Sequence, residues 1–169
     1  MMNIRAAVIT ISDRGYAGER EDASGPLLAR LLQQKIAAEI VEQSILPDEP
    51  QRIRETLIRL ADETGVDLVI TTGGTGLTPR DQTPEATRAV LDREAPGLAE
   101  ALRLEGYRRT PLALLSRGVA GLRGRTLIVN LPGSPKAVRE GIEILAPILP
   151  HAVQMARGID TEHTGTHHA

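Results

Sequence analysis

Residues 68–76 read Leu-Val-Ile-Thr-Thr-Gly-Gly-Thr-Gly. A short, β-branched apolar run gives way to three glycines and three threonines within residues 71–76. Such a run predicts a buried strand that stops abruptly in a loop. The continuation from Leu77 to Glu85 reads as a loop that feeds a helix at Thr83-Pro84. Strand, glycine loop and helix start is the layout of phosphate-binding α/β proteins. Glycines let backbone N–H groups approach an anion with no side chain in the way.

The rest of the chain repeats this alternation. Ala6 to Ile11 is apolar throughout, as in a strand covered on both faces, and residues 12–23 are polar with Gly15 and Gly18, which predicts a long loop. Ser24 is expected to cap a helix carrying Pro26 in its first turn and Leu27, Leu28, Leu31, Leu32 and Ile36 along one side. A strand follows from Glu39 to Leu46, a turn at residues 47–50, a helix striped by Ile53, Leu57, Leu60 and Ala61 and ending at Gly65, and a strand from Asp67 to Thr72. Helices are predicted from Thr83 to Glu94 and from Pro96 to Arg108, then a short helix and a strand within residues 111–122. A strand from Arg125 to Leu131 leads to a helix capped by Ser134 with Pro135 at its first position, and a final helix beyond Pro147 and Pro150 runs to Arg157. The expected fold is a three-layer α/β/α sandwich with a mostly parallel, Rossmann-like sheet, forming one domain over residues 1–158. Residues 159–169, which include His163, His167 and His168, read as a disordered tail.

Composition narrows the chemistry. The 169 residues include no Phe, no Trp and two Tyr, so a base-stacking platform for single-stranded nucleic acid is not expected. The net charge of −2 offers no general attraction to polyanions, which makes any phosphate site a local one. Without Cys there is no disulfide, thiolate nucleophile or cysteine metal site. The N-terminus lacks the long apolar core of a signal peptide and no apolar run reaches spanning length, so a cytoplasmic protein is expected. All but two of the 20 Lys and Arg residues are Arg, which singles out Lys35 and Lys136.

Three loops with unusual chemistry leave strand ends, where parallel sheets bind ligands. They begin at Ser12-Asp13-Arg14, Thr71 to Gly76, and Asn130 to Lys136. The glycine loop fits a tight turn as well as an anion site. It is neither a P-loop nor a Gly-x-Gly-x-x-Gly fingerprint, and the hydroxyls of Thr72 and Thr75 with the charge of Arg80 favour the anion. Thr83 at the cap and Pro84 at the first helical position leave Asp81 without a structural task, which points to a Mg2+ contact. Asp48 fits two roles equally: capping the helix that begins at Glu49, with Gln51 as its capping-box partner, or acting in the site. Gly133, the Ser134 hydroxyl and a helix N-terminus together form a natural anion site, which Lys136 strengthens. Ser116-Arg117 is uninformative alone, Asp13 and Arg14 read most simply as a local ion pair, and the four His do not show metal-ligand spacing.

Taken in order, Ile11-Ser12-Asp13-Arg14, Pro47-Asp48-Glu49, Thr71 to Gly76, Arg80-Asp81-x-Thr83-Pro84-Glu85, Leu114-Leu115-Ser116-Arg117 and Asn130-Leu131-Pro132-Gly133-Ser134-Pro135-Lys136 resemble the Mog/MoaB family of molybdenum-cofactor biosynthesis. The resemblance runs from Ile4 to Gly158. It implies a molybdopterin-binding α/β/α sandwich that assembles as a trimer, or as a hexamer in the MoaB branch, which the short chain matches better. It also implies Mg2+-dependent transfer of an adenylyl group from ATP to molybdopterin, followed by a partner enzyme that inserts molybdate. The family's two catalytic aspartates fall on Asp48 and Asp81, here also the expected Mg2+ ligands. The expected substrate contacts are Ser12, Asp13, Arg14, Thr72, Gly73, Gly74, Thr75, Gly76, Arg80, Ser116, Asn130, Pro132, Gly133, Ser134 and Lys136. The competing expectations are a pterin-binding oligomer without catalysis and a nucleotide-pyrophosphate enzyme related to competence-damage proteins.

Overall fold

The computed structural model describes residues 2–159; the expected tail lies almost wholly outside them. Among the described residues, six strands form one sheet in the order β2-β1-β3-β6-β5-β4. They are β1 (Arg5–Ile11), β2 (Glu39–Leu46), β3 (Leu68–Thr72), β4 (Arg93–Glu94), β5 (Ala120–Arg123) and β6 (Thr126–Leu131). β1 runs parallel to β2 and β3, and β3 runs parallel to β6. β5 and β4 close the edge antiparallel.

The continuous apolar runs are explained by burial on both faces. Side chains alternate across a strand. Ala6 and Val8 of β1, Leu68 and Ile70 of β3, and Leu127, Val129 and Leu131 of β6 enter one core. That core is covered by α2 (Ser24–Ile36), α6 (Pro135–Leu145) and α7 (Leu149–Ala156), through residues such as Leu28, Leu32, Val138, Ile142 and Val153. Ala7, Ile9, Val69 and Ile128 enter the other core. There they meet Ile53 and Leu57 of α3 (Pro50–Ile58), Leu60 in the wider turns of residues 59–64, and Ala86 of α4 (Thr83–Arg88). The result is the expected three-layer α/β/α sandwich. No helix among the described residues is long and apolar enough to cross a membrane.

Four local expectations are corrected. Ser24 does not cap α2; Oδ1 of Asp22 accepts from the N–H groups of Ser24 at 3.1 Å and Gly25 at 2.9 Å and does that work. The loop after β1 contains one helical turn, α1 (Asp13–Tyr16), capped by the Ser12 hydroxyl. The helix from Thr83 ends at Arg88, and Arg93–Glu94 turn back as β4 against β5. Gln82, not Thr83, occupies the cap position of α4, with no side-chain cap bond.

Candidate active site

β1 is flanked by β2 on one side and β3 on the other. The chain therefore leaves the ends of β1 and β3 in opposite directions, which opens a crevice beyond their C-terminal ends. The loop after β6 closes over the same place. Thr72 Oγ1 donates to the Pro132 carbonyl at 2.8 Å, Gly73 N to the Leu131 carbonyl at 3.0 Å, and Ser24 Oγ to the Gly133 carbonyl at 2.6 Å. Gly73 has φ +102° and Gly74 φ +70°. A Cβ on Gly73 would overlap the Ile11 carbonyl oxygen, and one on Gly74 would overlap Thr83 Oγ1. Only glycine allows this path, which leaves the N–H groups of Gly74, Thr75 and Gly76 without acceptors among the described residues. Gly73 differs from its neighbours, because its own N–H is already used.

A cavity of about 710 Å3 occupies the crevice. Its walls bring together Ser12, Asp48, Thr72 to Gly76, Asp81, Ser116, Asn130, Pro132, Gly133, Ser134 and Lys136. Three expected contacts are not on the wall. Arg14 is exposed elsewhere. Asp13 pairs with Arg80 rather than with Arg14, through contacts of 2.7 and 3.0 Å, and both stand just outside. The hydrogen bonds from Arg80 hold the Asp13 carboxyl below the ordinary aspartate value.

The two aspartates are anchored in the same manner. Asp48 N donates to Asp13 Oδ1 at 3.0 Å, and Asp48 Oδ2 accepts from Asp13 N at 3.1 Å. Asp48 does not cap the helix that follows it: Glu49 holds the cap position of α3 without a side-chain bond. Burial raises the Asp48 carboxyl above its usual value, and the charges of Asp13 and Asp81 add to the effect. Asp81 Oδ2 accepts from Thr78 N at 3.1 Å and Thr78 Oγ1 at 2.7 Å. Asp81 thus closes its own turn, contrary to the expectation that it had no structural task. Both carboxylates keep Oδ1 without a hydrogen bond among the described residues. One faces the Gly74 end of the loop, and the other carboxylate packs against Gly76.

In the second loop the helix cap falls where the sequence predicts it. Ser134 Oγ accepts from Ala137 N at 3.0 Å and caps α6, whose first turn meets the cavity wall. Lys136 is 71 % exposed and reaches Glu140 only at 3.9 Å, so its ammonium is available to an anion. Ser116 Oγ lies 3.4 Å from Thr75 Oγ1. Asn130 differs: its buried amide donates to Thr71 Oγ1 and Thr87 Oγ1, each at 3.0 Å, and its Oδ1 accepts from Val119 N. Its side chain ties β6 to β3 and α4 and has no donor left for a ligand.

The sequence reading missed Arg117. Its backbone N–H donates to the Thr75 carbonyl at 2.8 Å, Nε to the Gly76 carbonyl at 2.8 Å, and an η-nitrogen to the Asp81 carbonyl at 2.5 Å, while the guanidinium also pairs with Glu85. One side chain therefore fixes the far end of the glycine loop, Asp81 and the start of α4. The only available signal was its place beside Ser116. Arg20 and Arg103 also line the cavity; Arg103 donates to the carbonyls of Ser116 and Gly118.

The donor set fits Mg2+. Free carboxylate oxygens on two aspartates suit a hard cation that takes few protein ligands and keeps waters and phosphate oxygens. No group of three or more His, Cys, Asp or Glu suited to a metal occurs among the described residues.

Residues 7–151 match the family described as "Probable molybdopterin binding domain". The chain is 40% identical over 159 residues to the molybdopterin adenylyltransferase of Helicobacter pylori strain J99, covering 94% of this chain and 90% of that protein. It is 44% identical over 155 residues to the molybdenum cofactor synthesis protein cinnamon of Drosophila melanogaster, which is 92% of this chain but 26% of that longer protein. The crystal structure of the molybdopterin biosynthesis enzyme MoaB from Thermus thermophilus superposes with a TM-score of 0.87 at 53% identity, covering 92% of this chain and 97% of the other. These matches span most of the chain, and the chain belongs to the Mog/MoaB family of molybdopterin-binding domains.

Proposed function

We propose that this chain is a molybdopterin adenylyltransferase of molybdenum-cofactor biosynthesis. The terminal phosphate oxygen of molybdopterin attacks the α-phosphorus of ATP; a P–O bond forms to the pterin phosphate, and the bond to pyrophosphate breaks. The adenylylated pterin then passes to a molybdate-inserting enzyme. The observation that carries this reading is one cavity in which the unpartnered Oδ1 of Asp48 faces Gly74 and the Asp81 carboxylate packs against Gly76, at the two ends of a loop whose N–H groups have no acceptor among the described residues.

Each part of the site then has a task. The N–H groups of Gly74, Thr75 and Gly76 bind phosphate oxygens as a concave array of donors. Across the cavity, the N-terminus of α6 with Lys136 anchors the second anionic substrate. Thr72 and the Gly73 N–H hold the two loops together and so set the distance between the substrates. Asp48 and Asp81 would hold Mg2+, which would supply charge neutralisation at the phosphates. Ser116 and Arg103 contribute polar groups to the remaining wall.

The same reading includes a homo-oligomer, trimer or hexamer. It is supported by exposed apolar side chains clustered on α5 (Pro96–Arg109) and the turn that follows it: Leu104, Tyr107, Leu112, Leu114 and Leu115 are each about half exposed or more.

The test incubates the purified chain with molybdopterin, Mg2+ and ATP labelled at the α-phosphate. Label transferred to the pterin with pyrophosphate released is the expected result. Pterin binding with no pyrophosphate would show a binding protein instead.

A further inference from the structure

Thr83 is fully buried, and its Oγ1 is the one buried side-chain polar atom without a hydrogen-bond partner among the described residues. A buried hydroxyl left in that state is costly, and a valine of nearly the same shape would avoid the cost. The other threonines nearby are engaged: Thr87 donates to the Thr83 carbonyl at 2.8 Å, and Thr72 donates to Pro132. Thr83 itself is tied to the glycine loop, because its N–H donates to the Gly74 carbonyl at 3.1 Å.

What lies beside this hydroxyl identifies its use. A Cβ built on Gly74 would overlap Thr83 Oγ1 and would also stand 3.1 Å from Asp48 Oδ1. The hydroxyl and the carboxylate oxygen therefore face the same side of Gly74, separated by the space of its missing side chain. One is a donor without an acceptor, the other an acceptor without a donor.

We propose that Thr83 is a positioning residue for Asp48, its hydroxyl donating to Asp48 Oδ1 when substrate draws the loop and the carboxylate together. This rests on the adenylyl-transfer reading and deepens it. Thr83 touches no reacting atom; it orients the carboxylate that does the holding, and Gly74 is glycine partly to keep that approach open. A hydrogen bond to a charged acceptor is among the stronger ones.

The experiment compares the wild type with Thr83→Val and Thr83→Ser in three measurements: kcat, KM for molybdopterin, and the melting temperature with and without MgATP. In Thr83→Val, kcat is expected to fall about tenfold or more, with KM for molybdopterin unchanged. The same variant should melt at the wild-type temperature or above it without ligand, and MgATP should raise that temperature less than in the wild type. Thr83→Ser should recover both kcat and the MgATP effect. Wild-type kcat with a wild-type MgATP effect in Thr83→Val would overturn the proposal, as would loss of activity in both variants together with a lower melting temperature, which marks a packing role. If the wild type releases no pyrophosphate, the adenylyl-transfer reading fails, yet the MgATP melts still decide: a smaller rise in Thr83→Val alone supports the proposal, and an equal rise, or none in the wild type, overturns it.

Discussion

Asp13 and Asp48 bind each other through their backbones: Asp48 N donates to Asp13 Oδ1 at 3.0 Å, and Asp13 N donates to Asp48 Oδ2 at 3.1 Å. The reciprocal pair brings two acids together, yet only one is neutralised inside the protein. Arg80 takes the outer face of Asp13 in a two-point contact, which leaves Asp48 as the acid turned towards the cavity.

That asymmetry has a pH signature. Burial, then the charges of Asp13 and Asp81, raise the Asp48 carboxyl above its ordinary value. The folded state therefore disfavours the ionised form. The stability linked to its protonated form is full below the ordinary value of an unfolded aspartate and is lost as pH rises through the higher folded value. Asp48→Asn should accordingly raise the melting temperature of the ligand-free protein at neutral pH by a few degrees at most. The gain should disappear in acid. Melting curves across that range check it, and a lower melting temperature at neutral pH would contradict it.

The glycine loop depends on a backbone path closed to other residues. At Gly73, φ +102° and the Ile11 carbonyl both exclude a Cβ. Gly73→Ala should cost about 1–3 kcal/mol of stability and should reduce turnover further than that loss explains. The reason is that Gly73 N and Thr72 Oγ1 are the stitches to the loop at Pro132. Chemical denaturation with a parallel rate measurement separates the two effects.

Arg117 is the support for Asp81. Arg117→Lys keeps the charge but loses the planar fork that reaches Gly76, Asp81 and Glu85 together. A fall of about 10–100-fold in activity is expected if Asp81 is the metal ligand proposed above, the range for residues that orient such ligands. The effect should be seen as weaker MgATP use, with pterin binding retained. Calorimetric titration with each substrate tests this.

Long, periodic elements were legible in the sequence, because strands buried on both faces read as unbroken apolar runs. β4 was not: two exposed residues, Arg93 and Glu94, carry no alternation, and only pairing with β5 makes them a strand. The one-turn helix α1 was hidden in a polar stretch with Gly15. Both expected aspartates line the cavity, but the reason for expecting Asp81 there does not hold. Thr83 does not cap α4, and Asp81 is not idle, since it closes the turn at Thr78. Asn130 looked like a ligand contact because it sits at a strand end, yet burial commits its amide to Thr71 and Thr87. Arg117 escaped because its partners lie about 30 to 40 residues away in sequence, a distance no local pattern spans.

The most direct test of the account is adenylyl transfer by Asp81→Asn beside the wild type. An asparagine oxygen can still accept from Thr78, so the turn survives, and an unchanged melting temperature would show it. The account predicts pyrophosphate release by the wild type and none by the variant, with molybdopterin still bound by both. Turnover by Asp81→Asn at the wild-type rate would contradict it.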